Sequence, residues 1–275
     1  MLTGGTGFVG GAVAQALVEA GHEVRALVRS PERAGALESL GLTLVHGSLA
    51  DPNEVARAAA GCTHAVHAAA ETAPGASRRV AGWVNLAGTE NALRGARHAG
   101  VRRFVHLSCA DVTLHGGPRR GWNEDRVPDA PPLGPLLETK LRAEEAVIGA
   151  GTAAFETLAL RPGTVWGSGD TSRLPRLCRE ALAGPGLRLF GDGRNLVALV
   201  HVENLAHAVL RALMTEQAAG SVLHVLDAEI ALAGEHYGEL SDALGLPAPR
   251  PGRLGARAAF ARARLARRSS GVDLA

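Results

Sequence analysis

At 275 residues the chain is long enough for a doubly wound domain with a small appendage, and it needs no more than two domains. A net charge of +2 gives no reason to expect a nucleic-acid partner, and no run of about 18 apolar residues exists that could span a membrane. No secretory signal opens the chain, and Cys62, Cys109 and Cys178 form no Cys-x-x-Cys, which fits a reducing, cytoplasmic setting and argues against a metal site.

Only Met1 and Leu2 precede the run Thr3-Gly4-Gly5-Thr6-Gly7-Phe8-Val9-Gly10. That is short for a buried first strand, so either residues are missing ahead of Met1 or the strand is stunted. Strands are expected at Glu23–Val28, Leu42–His46, His64–Ala68, Arg103–Leu107 and Phe155–Leu160. Between them Val9, Val13, Leu17 and Ala20 recur at helical spacing, as do Leu37 and Leu40, and Val84 with the stretch through Ala99. Gly21, Gly41, Gly61 and Gly100 each follow a helical run, where a C-cap glycine belongs. Alternating strands and helices predict an α/β fold with a doubly wound parallel sheet.

Residues 116–135 are rich in Gly, Pro and charge, and are expected to form a loop serving as a substrate lid. Beyond Gly167 the pattern predicts a helix at Ser172–Ala183, a strand at Leu187–Phe190, strands at Val197–Val200 and Val222–Leu226, and a helix from Glu203 to Met214. Tyr237–Leu244 and the basic stretch Leu254–Arg267 read as helices, and Ser269–Ala275 as an unstructured tail. The expected division is a dinucleotide-binding domain at 1–166 and a mainly substrate-binding part at 167–268, with 197–226 returning to the first core.

Gly4, Gly7 and Gly10 sit at a strand-to-helix junction, where glycine lets the backbone approach a pyrophosphate held at the positive end of the helix. After the next predicted strand come Arg29, Ser30 and Arg33, in the place where an NAD-selective site carries an acid. An arginine there can pair with the 2′-phosphate of NADP, or it can be simply solvated; NADP is the expectation. The chain has twenty-eight arginines and one lysine, Lys140, a bias that suits a high-GC bacterium. A lysine kept against that bias belongs where a guanidinium cannot replace it.

These motifs occur in order with His64 to Ala70, Asn85, Gly88 to Asn91, Phe104 to Ser108, Leu160 to Gly163, Gly191 to Gly193 and His201 to Asn204. Together they resemble the extended short-chain dehydrogenase/reductase family, in its dihydroflavonol-reductase and sugar-epimerase branch, from Thr3 to about Leu246. The resemblance implies a cofactor site comprising Gly4, Gly7, Phe8, Val9, Arg29, Ser48, Leu49, Ala68, Ala69, Lys140, Pro162 and Val165. Ser48 stands where relatives place an acid on the adenine edge. Asn85 is implied to order the lysine through water, and His201 and Asn204 to tie the C-terminal part to the core.

The same resemblance implies hydride transfer to a carbonyl, with a tyrosine four residues before the lysine as acid and a serine holding the oxygen. Here the tyrosine place is Leu136, the only tyrosine is Tyr237, and the serine place falls on Cys109, with Ser108 one position early. Lys140, Ser108 and Cys109 are therefore the catalytic candidates; Asp111, His115 and Trp166 lie nearby in the chain. Two readings follow. One is an NADPH-dependent reductase of a hydroxylated polycyclic, polyketide-type ketone, as for atypical family members that lack the tyrosine and reduce angucyclinone-type polyketides, with the substrate assisting its own protonation. The other is an NADP-binding redox sensor or structural protein without catalysis. Epimerase or dehydratase chemistry is disfavoured, because it needs a base that Leu136 is not. The oligomeric state stays open.

Overall fold

The computed structural model of the chain describes residues 1–73, 76–115, 121–126 and 132–252. In chain order its elements are β1 (Leu2–Thr3), α1 (Phe8–Glu19), β2 (Arg25–Val28), α2 (Gly35–Ser39), β3 (Thr43–His46), α3 (Pro52–Ala59), β4 (His64–His67) and α4 (Arg78–Ala81). A π-helical stretch (Gly82–Ala87) joins α4 to α5 (Gly88–His98), followed by β5 (Arg103–Leu107), α6 (Pro135–Gly149), β6 (Glu156–Pro162), β7 (Thr164–Trp166) and α7 (Arg173–Leu182). The remainder is β8 (Leu196–Val197), β9 (Leu199–His201), α8 (Val202–Met214), β10 (Val222–Val225), β11 (Ala231–Leu232) and α9 (Ala233–Ala243).

Seven strands make one parallel sheet in the order β10-β6-β5-β4-β1-β2-β3. The two-residue period of the strands sorts side chains to opposite faces. Ala26, Val28, Val66, Val105 and Leu158 pack with Val13 and Leu17 of α1 and Leu205 and Val209 of α8. Their neighbours in the chain, Leu27, Ala65 and Phe104, pack on the other face with Val55 of α3, Ala92 and Ala96 of α5 and Val147 of α6. Both faces are covered, which is why these strands are near-continuously apolar. The expected glycines Gly21, Gly41, Gly61 and Gly100 all have positive φ.

The first strand is short, as its sequence implied, yet it is central. Leu2 pairs with Ala26 on one side and Val66 on the other, and the Met1 amino group donates to His64 O at 2.8 Å. The chain order reverses between β1 and β4, the switch point at which ligands of such sheets bind.

Two expectations for the C-terminal part are corrected. Leu187–Phe190 is no strand: Arg188 makes a single bridge to Arg250, and the run bends into Gly191 at φ 58°. Val197–Val200 is not one strand but two. β8 pairs antiparallel with β11, β9 pairs parallel with β7, and Ala198 between them accepts from Thr164 N at 2.7 Å. β10 joins the large sheet beside β6, while Leu177, Ala181 and Leu187 form a small separate core against Tyr237 and Leu240. The expected helix at Leu254–Arg267, the tail after it and half of the expected loop at 116–135 lie outside the described residues. Among the described residues no helix is long and apolar enough to cross a membrane.

Candidate active site

The glycine run turns the chain from β1 into α1. Gly4 lies at φ 75°, and a Cβ there would meet Ala69 N at 2.5 Å; a Cβ on Gly10 would meet Gly4 O at 2.1 Å. Only glycine permits that approach of loop, helix and β4. No side chain caps α1 and its first turn carries no acid, so its leading N–H groups and positive helix end face outward, as an anion requires. A cleft of about 260 Å³ opens there, lined by Gly4, Gly7, Arg29, Ser48, Leu49, Ala68 and Ala69 among others. Arg29 and Arg33 are exposed on its rim with Ser30 between them in the lining. The fit to a dinucleotide is thus shown by a cradle that any side chain would fill.

Other expected cofactor residues stand apart from that cleft. Phe8 lies on the far side of the glycine loop, its ring against Gly169, in a groove of about 940 Å³ along α1. Val9 and Val165 pack against the first core cluster. Pro162 ends β6, paired with Val225. Ser48, by contrast, lines the cleft and donates its backbone N–H to Glu54 at 2.7 Å.

The catalytic candidates do converge. α6 buries Thr139, Lys140, Ala143, Glu144 and Val147, an i, i+3, i+4 stripe that turns Lys140 towards the sheet. Lys140 Nζ donates to Leu107 O at 3.2 Å, at the carboxyl end of β5, next in chain to Ser108 and Cys109. Loss of solvent lowers the Lys140 pKa, although Cys109 and Glu144 work in the other direction. Burial raises the Cys109 thiol, with Lys140 partly opposing it. Ser108 is 4% exposed, and its Oγ has no hydrogen-bond partner among the described residues. Leu136 is one helical turn before Lys140, whereas Tyr237 is far away, accepting a 2.7 Å bond from Arg173.

Beneath this group lies a buried polar web that the sequence reading missed. His67 and His106 face each other across β4 and β5 and stack with centroids 5.4 Å apart. Thr89 Oγ1 donates to Asn85 O at 2.6 Å, so it must accept from His67 Nε2–H at 2.9 Å. His67 Nδ1 then accepts from Thr3 Oγ1 at 2.7 Å. The ring is a neutral imidazole of one tautomer, and burial followed by the Lys140 charge holds its pKa at about 3. His106 is likewise pushed well down by burial, then by His67 and Lys140. Asn85, buried in the π-helical stretch, bonds the Glu71 backbone at 2.8 and 3.2 Å and Thr139 at 3.3 Å. A second missed feature is the buried pair Arg161–Glu144, at 2.6 and 3.0 Å, which ties β6 to α6 one turn after Lys140. The signal for the first was a histidine inside each of two apolar strands; for the second, a glutamate four residues after the lysine.

A cavity of about 440 Å³ opens beside Ala110 and Asp111, just past Cys109. Gly163 and Thr164, the short strands at 196–199 and residues 224–230 close its other sides, and Trp122 of the described lid arm lines it. The arm is held down: Glu124 accepts from His224 N at 2.7 Å, Trp122 stacks on His115 with centroids 5.0 Å apart, and the Arg126 guanidinium lies 5.0 Å from its ring. Asp227 at the cavity edge accepts from His201 N, Asn204 Nδ2 at 2.7 Å and Trp166 Nε1 at 3.1 Å. His201, Asn204 and Trp166 thus meet in one structural knot.

A parallel sheet with a glycine cradle at its switch point, and an ionisable cluster at the next strand end, defines a nicotinamide-dependent oxidoreductase. The profile described as "NAD dependent epimerase/dehydratase family" matches residues 1–225, and the chain belongs to that family. It is 36% identical over 255 residues to a 2-alkyl-3-oxoalkanoate reductase of Stenotrophomonas maltophilia, covering 90% of this chain and 76% of the relative. It is 35% identical over 225 residues to the 4-hydroxy-2-methyl-3-oxo-4-farnesyl-3,4-dihydroquinoline-1-oxide ketoreductase of Stigmatella aurantiaca, covering 82% of this chain and 66% of that one. Among solved structures, MoeE5 in complex with UDP-glucose and NAD superposes with a TM-score of 0.74 at 27% identity, over 92% of this chain and 85% of its own. DesIV, a dTDP-glucose 4,6-dehydratase from Streptomyces venezuelae with NAD bound, gives 0.76 over 98% and 97%; at 23% identity this is likeness of fold alone.

Proposed function

We propose that the chain is an NADPH-dependent ketoreductase acting on a hydroxylated, polycyclic ketone of polyketide type, in the tailoring of an antibiotic-like product in the cytoplasm. The observation that carries it is the convergence of Lys140, Ser108 and Cys109 at the end of β5, between the dinucleotide cleft and an apolar-walled cavity under the lid arm. The two relatives named as a 3-oxoalkanoate reductase and a 3-oxo quinoline ketoreductase support carbonyl reduction. The second of those names also carries a hydroxyl next to the oxo group.

The glycine cradle would hold the pyrophosphate of a reduced nicotinamide dinucleotide, which would supply the hydride for the carbonyl carbon. Arg29 and Arg33 on the cleft rim hold the 2′-phosphate, which favours NADPH over NADH. Lys140 anchors the ribose and, as an ammonium in a dry site, stabilises negative charge that develops nearby on the carbonyl oxygen. Ser108 Oγ, buried with no described partner, is the hydroxyl free to orient that oxygen. Leu136 supplies no proton. A hydroxyl adjacent to the carbonyl in the substrate gives its proton to the oxygen, and water restores it. Losing a positioned acid costs about two to four orders of magnitude, a loss that substrate positioning can offset.

The second reading, an NADP-binding redox sensor, is favoured by Leu136 and Cys109 in the acid and serine places. Incubation with NADPH, and separately NADH, against hydroxylated polycyclic ketones distinguishes the two. The ketoreductase oxidises NADPH in preference to NADH, gives a product two hydrogens heavier, and slows when the neighbouring hydroxyl is methylated. Tight NADPH binding with no product across the panel would move the assignment to the sensor.

A further inference from the structure

We infer that Trp83 closes the adenine end of the dinucleotide cleft, its indole stacking on the base of the bound cofactor beside the loop 48–50. The inference rests on the dinucleotide site and names the residue that grips one end of its ligand.

The π-helical stretch at Gly82–Ala87 is what brings Trp83 to the cleft. Gly88 donates its N–H to Trp83 O, five residues back, so this turn is one residue wider than an α-helical one. Residues five apart do not share a face of an α-helix, yet the widened turn sets Trp83, Val84 and Gly88 together in the cleft lining. The indole is 64% exposed, so a flat base can cover it without displacing another side chain.

The loop 48–50 forms the neighbouring wall, and it is fixed in advance. Leu49 lies against Gly88, its Cβ 3.6 Å from where a Cβ on that glycine would stand. Asn91 Nδ2 donates to Leu49 O at 2.7 Å and Ala50 O at 3.1 Å, while its Oδ1 accepts from Arg94. Ser48 Oγ accepts from Ala50 N at 3.1 Å. Asn91 belongs to α5, and Trp83 to the stretch that runs into it, so both walls hang on one helix. In the same lining Gly4 and Gly7 receive the pyrophosphate, and Arg29 and Arg33 lie where the 2′-phosphate would be. The adenine base is the part of that half of the ligand left for Trp83 and Leu49. Stacking of this kind reads the π-face of a base and adds affinity without an edge hydrogen bond.

The test uses the full chain and two half-ligands: ADP, the adenine half common to NAD and NADP, and nicotinamide mononucleotide, the other half. Calorimetry with both halves, NADP⁺ and NAD⁺ is run on the wild type, Trp83→Ala and Trp83→Phe. Trp83→Ala should weaken ADP and the whole dinucleotides by a common factor of about tenfold or more and leave nicotinamide mononucleotide unchanged. Trp83→Phe should keep most of the affinity. ADP should also quench tryptophan emission in the wild type and not in Trp83→Phe, a signature that a merely structural Trp83 would not give. Unchanged ADP affinity in Trp83→Ala, equal weakening of both half-ligands, or quenching that survives in Trp83→Phe would overturn the inference and leave the dinucleotide site standing. A wild type that binds neither dinucleotide nor ADP would remove that site, and the inference with it.

Discussion

A lysine that is 6% exposed and makes one bond among the described residues, to Leu107 O, is costly unless the charge is used. Lys140→Met should therefore cut ketone turnover by about a hundredfold or more, and Lys140→Arg should not restore it, since a planar guanidinium cannot take the place of an ammonium. Desolvation places the Lys140 pKa below the 10.5 of a free side chain. In the proposed reaction the protonated form acts, so the rate should fall at a lower pH than a solvated lysine would give, and that alkaline limb should vanish from the residual rate of Lys140→Met. His67 gives a stability prediction of known sign. Its folded pKa of about 3 lies below the 6.5 of the unfolded chain, so between those values the unfolded state binds more protons. Its contribution is complete above pH 6.5 and is lost as pH falls towards 3, by up to about 1.4 kcal/mol per pH unit. Urea midpoints measured from pH 7.5 to 4 should fall less steeply for His67→Gln; an identical slope would show that His67 is not held neutral. That Lys140 reaches the strand end that leads into Ser108 and Cys109 was legible from the neighbours of these residues in the chain. The state of His67 was not, because it depends on a strand register and on Thr3 and Thr89, which lie 64 and 22 residues away in sequence.

At the scale of elements, the join between α6 and β6 rests on Arg161 and Glu144, whose side chains are 9% and 3% exposed. Removing one partner strands a buried charge. Arg161→Met should destabilise by about 3–5 kcal/mol, and the double variant Arg161→Met with Glu144→Gln should recover much of that loss. Denaturant midpoints of the three variants check this, and full additivity of the two changes would contradict it. Gly10→Ala should abolish dinucleotide binding in a filter or fluorescence assay, because its Cβ would lie 2.1 Å from Gly4 O. The five expected strands of residues 23–160 and helices α1, α2 and α5 were legible because buried strands leave apolar runs and glycine ends the helices, whereas α6, which carries Lys140, was not read. Residues 187–200 misled for the same reason in reverse. Leu187-Arg188-Leu189-Phe190 alternates as a strand does, but among the described residues its strand pairing is a single bridge from Arg188 to Arg250, and Phe190 remains 65% exposed. In Val197–Val200, partner choice splits one apolar run between two small sheets.

For the whole molecule, the cleft at the glycine turn and the cavity past the β5 strand end are the two spaces that the proposed reaction uses, the first for the dinucleotide and the second for the ketone. Replacing Arg29 and Arg33 together by alanine should weaken NADPH by about tenfold or more while leaving NADH nearly unchanged; equal losses for both cofactors would remove the 2′-phosphate assignment. The central claim is that hydride passes from cofactor to ketone between these two spaces. Its most direct test is to supply NADPH deuterated at C4, each face in turn, with a hydroxylated polycyclic ketone, and to locate the label by mass and NMR. The account predicts one deuterium on the new carbinol carbon from one face only, greatly diminished in Lys140→Met. Cofactor binding with no deuterium in any product would contradict it.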